Sequence, residues 1–293
     1  MVRLRAAGVP SHTLAAELLL MSSLGRDRTW LYTHPETQID PAEEDKFFAL
    51  IARRASGEPT QYLTGKQEFW GLEFEVTPAV LIPRPETEHV MEVALERLGP
   101  RGIKIRLDTG EPSPPLLIAD VGTGSGCLAV ALAWELPHAE IMATDISAAA
   151  IEVARRNAAR HSVAGRIHFV ETNLLEEVFR DSQTAIHESR LFDLIVSNPP
   201  YVARDEAAEL PREVRDHEPH AALFGGPTGV EIYAKLIEQA GKLLREGGIL
   251  VLELGHNSLD HVRSAFAAQS VWSDVRVTKD LAGIPRVFSA SRL

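Results

Sequence analysis

Leu116-Leu117-Ile118-Ala119-Asp120-Val121-Gly122-Thr123-Gly124-Ser125-Gly126 is the stretch that decides the fold. Its first half is a short, continuous apolar run of the kind that forms a strand buried on both faces. Its second half is a glycine turn, and the apolar segment from Cys127 to Leu136 that follows reads as a helix. A strand that passes through a glycine turn into a helix is the opening unit of a doubly wound α/β sheet. In such a sheet the turn lies at the carboxyl edge, where ligands bind. Glycine suits the position because a side chain would block close approach, and because the turn needs backbone angles that other residues resist.

Downstream, the alternation continues. Glu140 to Thr144, Ile167 to Val170, Phe192 to Ser197 and Ile249 to Leu254 read as strands, with strands also near Val275 and Val287. Helices are predicted over Ala148 to His161, Leu259 to Ala268, and Val230 to Arg245 with Ile232, Leu236, Leu243 and Leu244 facing inward. Short apolar strands between amphipathic helices predict a parallel sheet covered on both faces.

Upstream, Asp40-Pro41-Ala42-Glu43 supplies a helix cap, a proline in the first turn and a carboxylate three residues after the cap. Phe47, Leu50 and Ile51 follow at helical spacing, and Gly57 and Pro59 end the helix. An earlier helix is expected to bury Leu14, Leu18 and Met21 on one face. From Glu68 to Ile82 the pattern switches to alternation, which predicts a short hairpin between two domains. Glu86 to Leu98 is again helical, and the proline-rich stretch from Gly99 to Pro115 reads as an exposed loop.

The glycine turn by itself is a weak signal, and dinucleotide binding is the rival reading. Here, however, the third glycine comes two residues after the second rather than three. That spacing is more usual for nucleoside ligands without a pyrophosphate, such as the S-adenosylmethionine of methyltransferases. A P-loop is excluded because no Gly-Lys-Ser/Thr follows. Gly122, Thr123, Gly124, Ser125 and Gly126 are therefore the candidate cofactor loop. Asp145 ends the second strand, where a carboxylate can accept hydrogen bonds from both hydroxyls of a ribose. Capping the next helix is the blander role for Asp145, but Ser147 can fill it.

Asn198-Pro199-Pro200-Tyr201 follows the strand Phe192 to Ser197 and is expected at the same sheet edge. Consecutive prolines hold the chain extended and leave backbone carbonyls free for a ligand. An amide or aromatic amine nitrogen is a poor nucleophile because its lone pair is delocalised. A site acting on one must hold the NH2 with acceptors and aim the lone pair at the methyl carbon. The Asn198 oxygen and a proline carbonyl are two such acceptors. Tyr201 can stack on a flat target. No metal is required; His217 and His220 have near-ligand spacing but lack companions and read as a solvated loop. Cys127 reads as a small packing residue.

The chain has 293 residues, enough for a catalytic domain and a smaller one, and it is 45% hydrophobic and 24% charged. A net charge of -11 argues against binding by neutralising a phosphate backbone. One cysteine cannot form an internal disulfide, which fits a cytoplasmic compartment. The apolar run from Leu14 to Met21 is too short to span a bilayer, so no membrane association is expected.

Taken with Gln61-Tyr62-Leu63-Thr64-Gly65, Phe69-Trp70, Leu81-Ile82-Pro83-Arg84-Pro85-Glu86-Thr87-Glu88, Glu218-Pro219, Ala222-Leu223 and Gly225-Gly226, these motifs resemble the release-factor glutamine N5-methyltransferase family over nearly the whole chain. The resemblance implies a Rossmann-like S-adenosylmethionine-dependent methyltransferase domain over residues 84–293, and a small N-terminal helical domain over 1–66 that docks the protein substrate. A β-hairpin over 67–83 joins them. It implies that the glutamine of the Gly-Gly-Gln loop of class I peptide chain release factors is the target, held by Asn198 to Tyr201. It also implies that Gly122 to Gly126, Asp145 and Asn198 contact S-adenosylmethionine, with S-adenosylhomocysteine as product. The resemblance carries further cofactor contacts onto Asn173 and Leu174, where family members often have an acidic and then an aromatic residue. The segment Arg180 to Arg190 looks longer than usual for the family. The chain is expected to act as a monomer. The alternative is an amino-group methyltransferase acting on a nucleic-acid base, since an exocyclic amine poses the same problem and a flipped base can stack on the tyrosine.

Overall fold

Strand β3 (Leu116–Val121) is buried along nearly its whole length because it lies mid-sheet with helices over both faces. Its alternating side chains serve two cores: Ile118 enters one, while Leu117, Ala119 and Val121 enter the other. A computed structural model of the chain describes residues 1–104, 115–176 and 191–293. Around β3 run β4 (Ala139–Asp145), β5 (Ile167–Glu171), β6 (Phe192–Ser197), β9 (Leu244–Glu253), β10 (Trp272–Lys279) and β11 (Pro285–Arg292). The seven-stranded sheet has the order β10-β11-β9-β6-β3-β4-β5. The chain runs outward from β3 through β4 to β5, then returns to β6 on the other side. That reversal opens a crevice at the carboxyl ends of β3 and β6.

Helices α7 (Cys127–Glu135) and α8 (Ala148–Arg160) and part of α6 (Glu88–Lys104) cover one face. Helices α11 (Glu231–Leu243) and α12 (Leu259–Ala267) cover the other. Fully burying a side chain such as Leu194 or Leu236 contributes roughly 1.5–3 kcal/mol each. The N-terminal helices α1 (Val2–Ala6), α2 (His12–Leu24), α3 (Arg28–Thr33), α4 (Pro41–Ala55) and α5 (Thr60–Thr64) precede a hairpin of β1 (Lys66–Phe69) and β2 (Leu72–Glu75). They build a separate small core from Leu4, Leu19, Leu50 and Ile51. Helix α4 is capped as its sequence predicts, with the Asp40 carboxylate accepting from Ala42 N at 2.8 Å. A short parallel pair, β7 (Val202–Ala203) and β8 (Phe224–Gly226), and two short helices, α9 (Arg212–His217) and α10 (His220–Leu223), complete the chain.

Five expectations need correction. The sheet is mixed, because β11 runs antiparallel to β9 and β10 antiparallel to β11. A terminal strand followed by a tight turn needs no crossover helix, and apolar periodicity alone does not distinguish the two directions. Helix α2 buries Ala15, Ala16, Leu19 and Ser23 and leaves Leu14 and Leu18 exposed. Its apolar residues go nearly all the way round, so periodicity marks no face, and the small residues let the helices approach closely. The hairpin stops at Glu75; Val76, Val80 and Ile82 continue as irregular chain, packed on Tyr62 and on Ala150 and Val153 of α8. Helix α6 continues past a break at Gly99 (φ 58°) to Lys104, and the rest of the supposed loop, like the stretch from Arg180 to Arg190, lies outside the described residues. Helix α11 turns Tyr233, Leu236, Ile237 and Ala240 inward, whereas Ile232 faces the crevice.

Among the described residues no helix is long and apolar enough to cross a membrane.

Candidate active site

The glycine turn leaves β3 with Gly122 at φ 73° and Gly124 at φ 55°, left-handed angles that exclude most side chains. Gly122 N and Thr123 N both donate to Thr144 O on β4, at 2.9 and 2.8 Å, so the turn is pinned to the neighbouring strand. Beneath it Asp120 is fully buried, accepting from Thr123 Oγ1 at 2.6 Å and Ala129 N at 3.1 Å. Burial pushes its carboxyl up to about 7 against these two hydrogen bonds. Asn157 of α8 donates to Ser125 O at 2.8 Å and holds the far side of the turn.

Asp145 ends β4 beside this turn. One of its oxygens accepts from Gly124 N and the other from Ser147 N, both at 2.9 Å. Each keeps a lone pair for a ligand hydroxyl. Ser147 takes the capping role, its Oγ accepting from Ala150 N at 3.2 Å. Burial raises the Asp145 carboxyl above the usual range. At the end of β5, Thr172 N donates to Asp145 O at 2.9 Å and brings Asn173 and Leu174 to the same edge. Asn173 donates to Glu176 at 2.8 Å, and Leu174 has φ 54°.

The tetrad follows β6, the immediate neighbour of β3, and Ser197 Oγ donates to Val121 O at 2.6 Å. The two motifs therefore stand side by side. Asn198 Nδ2 donates to Thr87 Oγ1 at 3.2 Å, which leaves Oδ1 as the end of that amide free to accept. Gly225 and Gly229 pack tightly on the rest of the tetrad: a Cβ at Gly225 would lie 2.5 Å from Pro200 O, and one at Gly229 would collide with Tyr201 O. Pro200 O is thereby covered. Among the described residues no backbone N–H donates to Pro199 O. The Tyr201 ring lies against Gly255, and burial beside Glu253 pushes its phenol up to about 12.

One cavity of about 350 Å³ gathers most of these residues, a volume suited to a small-molecule ligand. Gly122, Thr123, Gly124, Ser125, Asp145, Asn173, Leu174, Asn198 and Pro200 line it. Gly126, Pro199 and Tyr201 do not: Gly126 packs against Ala154 at the start of α7, and Tyr201 belongs to the core under α11. Cys127 is also in the wall, where burial pushes its thiol up to about 12, a packing residue rather than a reactive thiolate.

Two walls were not assigned a role from sequence. One is the chain from Ala79 to Pro83, the other the chain from Pro219 to Phe224. A half-buried ion pair between Arg84 and Glu218 ties them together, and Tyr62 Oη donates to Val80 O at 2.6 Å behind the first. Both walls fall in motifs that stand out in the sequence, but no local pattern shows that they face each other. Thr87 was missed for the same reason. His217 and His220 stand not in a loop but at the end of α9 and the start of α10, and His220 packs edge-on against Phe224; among the described residues no group of three or more metal-ligating side chains occurs.

A parallel-sheet core with a glycine turn and an Asn-Pro-Pro-Tyr tetrad at one switch point defines a Rossmann-like methyltransferase. The model for the methyltransferase small domain matches residues 112–213, and that for the PrmC N-terminal domain matches residues 2–65. The release factor glutamine methyltransferase of Koribacter versatilis is 45% identical over 97% of this chain and 92% of its own length. That of Chlorobaculum tepidum is 45% identical over 94% of this chain and 89% of its own. The chain belongs to the release factor glutamine methyltransferase family. Among solved structures, the N-terminal domain of human METTL16 in complex with SAH shares the fold, with a TM-score of 0.53 at 19% identity over 84% of this chain and 83% of that one.

Proposed function

We propose that this chain transfers a methyl group from S-adenosylmethionine to the side-chain amide nitrogen of the glutamine in the Gly-Gly-Gln loop of class I release factors, and so tunes translation termination. The observation that carries the reading is the Asn198 carboxamide standing in the same cavity as the glycine turn, in a chain of this family. The lining fits the cofactor. Gly122 and Gly124 offer backbone without side chains, Asp145 offers two oxygens with spare lone pairs, and the buried Ser125 hydroxyl has no partner of its own.

When bound, the cofactor supplies a sulfonium-activated methyl group. Asn198 Oδ1 and Pro199 O accept the two hydrogens of the target NH2, which turns the lone pair of the planar nitrogen toward that carbon. Alignment of this kind is worth up to ~7–11 kcal/mol of the barrier. The walls at Leu81 and Pro83 and at Ala222 and Phe224 exclude water. Asp145 holds the ribose, and Asn173 and Leu174 border the adenine. Tyr201 supports the tetrad from behind. Residues 1–66 dock the release factor. The protein works as a cytoplasmic monomer and binds no nucleic acid directly, the last a reading that its net charge of -11 supports.

Incubation with labelled cofactor and a release factor, against tRNA, rRNA and DNA controls, tests the reading. Mass spectrometry of the tryptic Gly-Gly-Gln peptide is expected to carry one added methyl on glutamine; label on a nucleic acid instead would select the base-methylating alternative. Asn198→Ala is expected to lower kcat by about 100-fold or more, the scale for losing an aimed polar group. Calorimetry should find its cofactor affinity close to wild type.

A further inference from the structure

Strand β9 alternates across the sheet, with Leu250 and Leu252 on the α11 face and Ile249 and Val251 on the α6 face. By that alternation Glu253, the last residue of the strand, points to the α6 side, where the short 3-10 turn Pro85–Thr87 leads into α6. The carboxylate is buried, and one oxygen has no hydrogen-bond partner. The Thr87 hydroxyl, itself buried and bonded to Asn198 Nδ2, is the side-chain hydrogen-bonding group that pulls the Glu253 carboxyl down. A carboxylate thus stands behind the one hydroxyl that holds the Asn198 amide, outside the cavity.

We propose that Glu253 is a positioning residue that fixes, through the Thr87 hydroxyl, which end of the Asn198 carboxamide faces the target nitrogen. The proposal rests on the reading of Asn198 as the acceptor for the target NH2. A hydroxyl has one proton to give. A carboxylate can only accept, so Thr87 donates to Glu253 and turns its lone pairs to Asn198. Asn198 must then present its NH2 to Thr87 and its oxygen to the cavity. With a neutral group at position 253 the constraint is lost. Thr87 can donate to Asn198 instead, and the flipped amide presents NH2 to the NH2 it should hold.

Burial holds the Glu253 carboxyl up at about 7. Glu86, in the same 3-10 turn, raises it further, while Thr87, Arg286 of β11 and Arg84 pull it down. The phenols of Tyr201 and Tyr233, both raised by burial, also face it. The orientation of Asn198 therefore depends on pH near neutrality.

The test compares wild type, Glu253→Gln, Thr87→Val and Thr87→Ser as full-length proteins, from about pH 6 to about pH 9, on a release factor. Glu253→Gln and Thr87→Val are expected to lower kcat about tenfold while the cofactor KM stays within about twofold, and Thr87→Ser to restore most of the rate. Wild-type kcat should fall on an acid limb near pH 7 that Glu253→Gln lacks. Side-chain amide NMR supplies a second readout that needs no substrate: the Asn198 NH2 resonances, assigned by their loss in Asn198→Asp, should titrate with that midpoint in the wild type. Wild-type turnover in Glu253→Gln, or Asn198 resonances indifferent to pH, would overturn the proposal. A wild-type protein that leaves release factors unmethylated would overturn the functional reading instead, with the NMR titration still deciding the relay.

Discussion

Asp145 carries two loads, since the carboxylate that faces the cavity also holds Gly124 and Ser147 by their amides. Asp145→Ala is expected to raise the cofactor dissociation constant by at least about tenfold, by removing ligand contacts and by freeing the turn. An unchanged calorimetric constant would refute its assignment. Glu253 shows the cost of keeping a charge inside. Its carboxyl sits at about 7, above its ordinary value of 4.5, so the folded state holds the proton more tightly than the unfolded chain. The protein consequently loses stability from this group as pH rises from 4.5 to about 7, by roughly 3 kcal/mol in all. Glu253→Gln should match wild type in acid and exceed it above neutrality, measured by denaturant unfolding at both ends; a pH-independent difference would contradict the buried charge. Asn198 and the glycine turn were legible because their chemistry is local and written in neighbouring letters. Thr87 and Glu253 were not, because each acts through a partner more than a hundred residues away in sequence.

One cavity wall is irregular chain and the other carries the single-turn helix α10, and the Arg84–Glu218 pair does for them what a ladder does for strands. The Glu218 side chain is 1% exposed, and its removal leaves Arg84 without its partner. Glu218→Gln is expected to lower kcat/KM for the intact release factor about tenfold, as a wall drifts from productive geometry, with little change in cofactor affinity. Equal loss toward both would place the pair elsewhere in the mechanism. At this scale the parallel strands β3, β4, β5 and β6 and the helices between them were readable within a residue or two, since each buries a continuous or one-sided apolar pattern. The hairpin's end and the face of α2 were not. Val76, Val80 and Ile82 alternate like a strand but are ordered by α8, and the apolar girdle of α2 gives no direction.

Across the molecule, the N-terminal helices are tied to α9 by polar rivets. Arg54 of α4, almost fully buried, donates to Glu213 of α9 at 2.5 Å and to Glu58 O at 3.1 Å, and the Arg212 side chain lies over Gly57. Arg54→Ala is expected to cost about 2 kcal/mol, between the values for exposed and buried pairs, and to split one thermal transition into two by calorimetry. A single transition at the wild-type temperature would argue against coupling through this pair. The overall plan was visible in the alternation of strands and helices. The antiparallel return of β10 and β11 was not, because direction is set by the length of the connection and by the partner strand.

Gly225, Gly229 and Gly255 never border the cavity, yet the backbone and ring of the tetrad rest directly on them. In a saturation library selected for activity, alanine at any of the three should score as badly as a change at Asn198. A map of tolerance would then draw a ring of seemingly essential positions that meet neither reactant, because what they contribute is room.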